Sequence, residues 1–586
     1  MRLNRTASVI ALLATISGES AMAAPVELAP GISYDRQVRP GPQVIHVIRV
    51  RSGPFVRLEP ILTSGTPATR APLTAAVAAR TDSGGVAAVN GDYFNLTRAY
   101  PSGIFATASE LTSEPEPTRS ALVVGGDGLF QALRLQLSGS YQLQNPTTTT
   151  PAPIRTFAGV NRPLERSSET VVYTPRFGGT TPGDGNRVEA VLAVDGGLAL
   201  AANTPIMASV VSVGPTGGQT PIAPGQIILA AGGAQGGQLA VDLHPGDRVR
   251  LEAAVAGLAP GSWALGGGPA LVAAGVPIAS AGEGFTEGQV GGRTARTAIG
   301  QAGDGSTILV TTEGPQQGAR GFSAAEQGEL LAQLGAQTAV AMDSGGSAIM
   351  TLGDRLAIPW AAERPITSAF LVSYLGTRIE PLSLTRVSPN GDGTADVLPA
   401  TVRSPSPGTL RVTIDRRGQG EVAVVADGPA TLRVDPVIDP AVLELADGPY
   451  YVHSTLTPSD GTAPSEARQP FIVDRTLGGL KLKTVAQKKG SRVEAQFTLV
   501  RQANVTLRVL DENGGLLRIP VASRHLRAGV QRLSWDGTLR RKPAIGRFRL
   551  EVEARTSLGR TKLDAPVTIT RRPTAPKLAE LRNRRP

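Results

Sequence analysis

The 586-residue sequence has no cysteine, so neither a disulfide framework nor Cys-ligated zinc can hold its fold. Aromatic residues make up 4% and helical patterns are few, which points to a β-rich chain whose many turns are supplied by 69 Gly and 46 Pro. Beyond the first two dozen residues no apolar run approaches the ~18 residues of a membrane helix, so no membrane span is expected. Only four histidines are present, His46, His244, His453 and His525, which limits the bases available for nucleophilic catalysis. Hydrophobic residues are nonetheless 41% of the chain, enough to fold, and the length calls for several domains.

Charge is unevenly spread. The net charge is +10, yet residues 475–586 hold 26 Lys and Arg against 8 Asp and Glu, leaving 32 against 40 in the remainder. A basic C-terminal region attracts polyanions such as wall polymers bearing phosphate. At the other end, Arg2 and Arg5 precede the apolar stretch Ala7–Ile16, and Ala21-Met22-Ala23 offers a small-x-small cleavage pattern. That is the form of a secretory signal peptide, too short to span a membrane. A secreted or envelope-associated protein is expected, and nucleic acid is not its expected partner.

The stretch that organises the chain is Ala339-Val-Ala-Met-Asp-Ser-Gly-Gly-Ser-Ala-Ile-Met350. Two apolar runs flank a turn carrying Asp343, Ser344 and Ser347, and Gly345 and Gly346 allow backbone N–H groups to approach a ligand. It reads as strand, tight turn, strand; the plain alternative is a glycine-rich hairpin. Asp-Ser-Gly-Gly also surrounds the nucleophile of chymotrypsin-like proteases, but no histidine here lies in a matching segment, and a helix leads into the strand. A phosphate-binding P-loop is excluded because no Lys-Ser or Lys-Thr follows the glycines.

Upstream, Val86–Asn90 reads as a buried strand running into Gly91-Asp92-Tyr93-Phe94, with Pro101-Ser-Gly103 beyond it. Gly266-Gly-Gly-Pro269 is a further loop where backbone can approach closely. Arg293–Gly300 reads as a strand carrying two arginines, and Thr307–Thr312 as a strand ending at Glu313. Ser323-Ala-Ala-Glu326 is a capping box opening a helix with Leu330, Leu331 and Leu334 on one face and Gly335 at its end. Arg296, Glu313, Asp343 and Arg364 thus fall at or near strand ends. An ion-pair network bracing the sheet would use the same residues.

In this order and spacing, Val89-Asn-Gly-Asp-Tyr-Phe94, Pro101-Ser-Gly103, Asn161-Arg-Pro163, Gly266-Gly-Gly-Pro269, Arg296-Thr-Ala-Ile-Gly300, the capped helix, Asp343-Ser-Gly-Gly-Ser347 and Glu363-Arg364 resemble the phosphodiester glycosidase family over roughly residues 30–376. Ser344 stands where the family commonly has Gly, and Glu313-Gly314-Pro315 where it has acid-Gly-Arg. The resemblance implies an α+β catalytic domain, a mixed β-sheet with few helices, that hydrolyses a sugar linked through its anomeric carbon to a phosphodiester. It implies Asp343, Glu313 and Arg296 as catalytic residues and no cofactor required for catalysis. Asn90, Asp92, Arg364, Ser344, Gly345, Gly346 and Ser347 would bind the substrate, a phosphate-bearing glycan or wall polymer. The alternative is a non-catalytic cell-wall glycan-binding or adhesion protein using the same pocket.

From Leu384 the pattern changes to alternating strands with frequent turns, the spacing of β-sandwiches. Leu533-Ser-Trp-Asp-Gly537 with Gly546-Arg-Phe548 is similar to the Ig-like domain of flagellar hook-capping proteins. The expected organisation is a signal peptide at 1–23, the glycosidase-like domain at 24–378, and Ig-like β-sandwiches at 379–475 and 476–570. The second of these is basic, and a disordered basic tail follows at 571–586. Asn390, Asp392, Thr394 and Asp396 surround Gly393 at a spacing that could hold Ca²⁺ or form an Asx-rich turn.

Overall fold

The computed structural model describes residues 25–97, 99–144, 151–183, 185–278, 283–487 and 490–570. The signal-peptide and tail segments inferred from sequence lie outside these residues. An α+β domain comes first, and two β-sandwiches follow it.

The first domain is layered. One eight-stranded sheet runs in the order Val26–Ala29, Ile32–Arg39, Gln43–Val50, Thr307–Thr312, Arg296–Ala302, Ala336–Ala341, Ala270–Ala273, Val276–Pro277. A five-stranded sheet faces it, with Gly85–Asn90 paired between Met350–Leu352 and Ser368–Tyr374. Ile48, Ile299 and Val340 from the first meet Val89, Phe370 and Val372 from the second in one dry core. The sheets' outer faces are covered by helices: Leu330 and Leu331 of Ala324–Gln333 on the first, Leu73 and Val77 of Leu73–Ala78 on the second. Central strands such as Gly85–Asn90, Thr307–Thr312 and Ser368–Tyr374 are therefore buried on two sides, which is why they read as runs without charged residues.

The helix over 324–333 forms where its capping box predicts. The Ser323 hydroxyl accepts the Glu326 N–H at 3.2 Å, the Glu326 carboxylate accepts the Ser323 N–H at 3.0 Å, and Gly335 leaves the helix at φ +93°. A second eight-stranded sheet, built from segments between 136 and 256, closes a separate core. The strand Ser120–Val124 joins the two cores by simple alternation, Ala121 and Val123 facing one and Leu122 and Val124 the other.

The glycine-rich stretch is not a hairpin. Ala336–Ala341 belongs to the eight-stranded sheet and Met350–Leu352 to the facing one, so residues 342–349 carry the chain from layer to layer at the ends of both sheets. Two apolar runs look alike whether they pair with each other or with different partners, and here different partners win.

Each sandwich has its own core, around Val412, Val452 and Phe471 in one and Phe497, Trp535 and Val552 in the other. The strand Arg378–Ile379 pairs with Val402–Arg403, so a boundary at 378 cuts through a strand of the first sandwich. Arg378 is 4% exposed and donates back to the Gly84 and Gly85 carbonyls at 3.3 and 3.2 Å. Asp474, buried, joins the two sandwiches by accepting from Arg386 at 2.6 Å and from Thr561.

The loop considered for Ca²⁺ uses its oxygens on itself. Asp396 accepts the N–H groups of Asn390, Gly391 and Gly393, and Asn390 accepts that of Asp392. Asp392 accepts from Thr394 and Gly479. Among the described residues no group of three or more His, Cys, Asp or Glu could hold a metal ion. These bonds build an Asx-rich turn, and the Asp392 bond to Gly479 ties the two sandwiches. No helix among the described residues is long and apolar enough to cross a membrane.

Candidate active site

Two chain crossings meet where the facing sheets end. Gly85–Asn90 runs out into Gly91-Asp92-Tyr93, and Ala336–Ala341 runs out into Met342–Ser347; the Asp343 N–H donates to the Gly91 carbonyl at 3.0 Å and locks them together. Asn90 is the pin between them. Its amide donates to the Asp343 carbonyl at 2.8 Å, and its oxygen accepts from Thr297 Oγ1 at 2.6 Å and the Ile349 N–H at 3.0 Å. At 1% exposure, with both ends of the amide engaged, Asn90 positions the loop and leaves nothing for a substrate.

Asp343 and Asp92 are thereby brought together. Asp343 accepts the Ser344 N–H at 2.8 Å. Burial raises its pKa to about 6 against the lowering effects of Ser347, the Ser344 N–H and the positive charges of Arg364 and Arg119. Asp92 is 3% exposed. Its Oδ1 accepts the Tyr93 N–H at 2.7 Å, whereas Oδ2 is buried without a well-formed hydrogen bond, the Gly103 N–H being nearest. Burial pushes Asp92 up to about 7, opposed by Arg119 and assisted by the charge of Asp343. Two neighbouring carboxyls titrate as a pair, and between about 6 and about 7 this pair holds roughly one proton.

Glycines make the room. A Cβ at Gly266 would stand 2.4 Å from Asp92 Oδ2, and one at Gly103 would stand 2.9 Å from it. On the other side a Cβ at Gly346 would meet the Arg364 guanidinium at 2.5 Å. That guanidinium donates to Ser347 Oγ at 3.2 Å, so the Gly345–Ser347 turn carries an exposed cation against its backbone.

The cation missed in the sequence is Arg119. Its guanidinium lies 5.3 Å from the centre of the Tyr93 ring and 5.6 Å from that of Phe285, and it donates to the Ser102 carbonyl at 3.2 Å. Ser120, the next residue, is anchored by Glu283, which accepts its N–H at 2.8 Å and its hydroxyl at 3.0 Å. Arg119 lines the narrow slot at Asp92 together with Pro115 and Glu116. The same three residues border a polar cavity of about 320 Å³, to which Asn95, Tyr100, Ser102 and Glu165 also contribute. The only available signal was an arginine preceding the largely apolar strand Ser120–Val124.

Two other expected residues lie apart. Glu313 is separated from Asp343 by the whole strand Arg296–Ala302, about 10 Å by two inter-strand spacings. It faces His46, whose Nε2 is 3.0 Å from Glu313 Oε1 and whose Nδ1 is 2.8 Å from the Tyr34 hydroxyl, with Arg36 at 3.6 Å. Burial holds His46 below its ordinary range, and Tyr34, His46 and Glu313 form a hydrogen-bonded brace across three strands. Arg296 is 2% exposed and spends its Nε and Nη2 on the carbonyls of Phe322, Gln289, Val290 and Gly292. Its fork is turned to backbone, not to a ligand. Arg296→Lys should therefore strand buried carbonyls at about 1–3 kcal/mol each. A fall in melting temperature of several degrees, with activity on every substrate reduced alike, is the outcome expected from thermal melts and a substrate panel.

Residues 189–373 match the family model described as phosphodiester glycosidase. Among solved structures, a hypothetical protein from Synechocystis is similar at 23% identity and a TM-score of 0.49, over 60% of this chain and 63% of that one. The chain thus spans under two thirds of that protein's length. The catalytic domain of zebrafish N-acetylglucosamine-1-phosphodiester alpha-N-acetylglucosaminidase, auto-inhibited by its pro-peptide, is similar at 14% identity and a TM-score of 0.27, over 58% of this chain and 82% of that one. No curated protein matches the chain.

Proposed function

We propose that the segment matching the phosphodiester glycosidase family makes this protein a hydrolase of sugar-1-phosphodiesters, with Asp343 and Asp92 as its working carboxyls. The observation that carries the reading is the pair itself: two buried acids, raised to about 6 and about 7, held beside Arg119. Buried acids with separated titrations at a loop junction suit acid–base work on a glycosidic bond.

In this reaction the bond from the anomeric carbon to the bridging oxygen breaks, and its electrons leave with the phosphate. Water supplies the new hydroxyl, and its proton passes to a carboxylate or to the released phosphate. Asp343, only partly buried at the crossing with Ser344 and Gly345, faces the developing oxocarbenium centre. Whether it attacks that carbon or activates water, it must be ionised. Asp92 works in the opposite state: neutral, its O–H donates to an anionic oxygen, while ionised it would repel the phosphate. A phosphate leaving group needs little protonation, so fixed cations matter more, and Arg119 and Arg364 supply them.

The first assay is purified full chain with N-acetylglucosamine-1-phosphodiester, reading free sugar, with an aryl glycoside of the same sugar as comparison. Release from the phosphodiester and little from the aryl glycoside is expected; no release across several sugar-1-phosphodiesters would sink the reading. The same assay run against pH should give a bell. Activity rises through about 6 as Asp343 ionises and falls through about 7 as Asp92 loses its proton, so a flat profile from pH 5 to 9 would contradict the assignment. The N-terminal pattern and the basic C-terminal region support action outside the cell, on a phosphate-bearing glycan or wall polymer.

A further inference from the structure

The C-terminal sandwich ends in an unusual hairpin. Thr538–Leu539 pairs with Lys542–Pro543 in the register Leu539↔Lys542, which leaves Arg540 and Arg541 as a two-residue loop. Both lie in the left-handed region, at φ +49° and +65°, the geometry of a type I′ turn. Such turns select Asn-Gly, because a side chain with a Cβ is strained at each position. Two arginines are a costly choice there for structure alone.

The base of the hairpin is stiff. Trp535 is fully buried and donates its indole N–H to the Thr538 carbonyl at 3.0 Å. Asp536 accepts from the Thr538 N–H and hydroxyl, and Arg518 donates to both Asp536 and the Thr538 carbonyl. On this support Arg540, Arg541 and Lys542 are exposed and form no ion pair with any described residue. Elsewhere in the sandwich cations and acids meet, as in Arg508 with Glu551 and Glu553 or Arg549 with Asp564.

We propose that this tip is an anion-binding finger for a phosphate-bearing polysaccharide. Local backbone strain retained at a braced, exposed site marks function, and adjacent guanidinium forks match phosphate oxygens. A polymer fits better than a membrane because the unpaired charge is not on one plane. Lys481 lies on the outer face of one sheet, while Arg555 and Arg560, directly opposed across a strand pair, lie on the outer face of the other. Like charges opposed in this way destabilise a sheet. A flexible chain can reach both faces from the tip; a flat surface reaches one.

The test is Arg540→Asn with Arg541→Gly in the full chain, which gives the turn the residues it favours and removes two charges. The probe is dextran carrying phosphodiester groups, beside neutral dextran and vesicles of phosphatidylglycerol. The wild-type chain should bind the phosphorylated dextran in preference to the other two. The double variant should keep or raise the melting temperature, bind at least fivefold more weakly at low salt, and lose about two from the slope of log K against log salt. Unchanged affinity in the double variant, equal retention on neutral dextran, or preference for the vesicles would each overturn the proposal.

Discussion

Asp343→Asn should remove sugar release almost entirely, by on the order of 10³-fold or more in kcat, while the protein stays folded and still binds glycan. The amide keeps the oxygen that accepts the Ser344 N–H at 2.8 Å and leaves the main-chain bonds to Asn90 and Gly91 untouched. It cannot ionise, so it can neither attack the anomeric carbon nor take a proton from water. The loss should fall on kcat with little change in KM, since the cations that hold the phosphate remain. A glycan-binding protein would show no turnover to lose, and a merely structural Asp343 would show a lowered melting temperature alongside any change in rate. Measuring kcat, KM and thermal stability on one preparation separates the three.

How far the sequence could have led to this pair is clear from particular residues. The Ser323 capping box and Gly335 are local signals, read out within a few residues, and the helix formed between them. Asp343 and its glycines were visible because turn chemistry is also local. Glu313 misled because a strand end specifies a height in the sheet but not which neighbouring strand its side chain will meet; His46, 267 residues away, met it. Arg119 was missed for the converse reason. It lies 27 positions after Asp92, in the turn Glu116–Arg119, whose prolines mark a loop but not what that loop will meet, and it reaches the site only because Ser120–Val124 is shared by two cores. The order of strands within the sheets is long-range information, and apolar runs of five or six residues do not carry it.

Asp92 leads to the other large effect, on stability. A carboxyl whose folded pKa is about 7 against an ordinary 3.8 binds its proton more tightly folded than unfolded. Between those two values the folded state holds more protons, so stability falls as pH rises, and the loss is complete above about 7. About three pKa units correspond to roughly 4 kcal/mol, of which about 3 kcal/mol should be lost between pH 5 and 8. Asp92→Asn has no such proton to lose. Its amide will carry some fixed cost of its own beside Gly103 and Gly266, but that cost is the same at both pH values and cancels in the comparison. The wild-type chain should therefore lose stability from pH 5 to 8 by about 3 kcal/mol more than the variant, in matched denaturant titrations. Activity should move the other way: lower at pH 6, and without the falling limb above about 7. Parallel stability curves for the two proteins would mean that Asp92 is ionised at neutral pH, and the proton shared with Asp343 would then have to be given up.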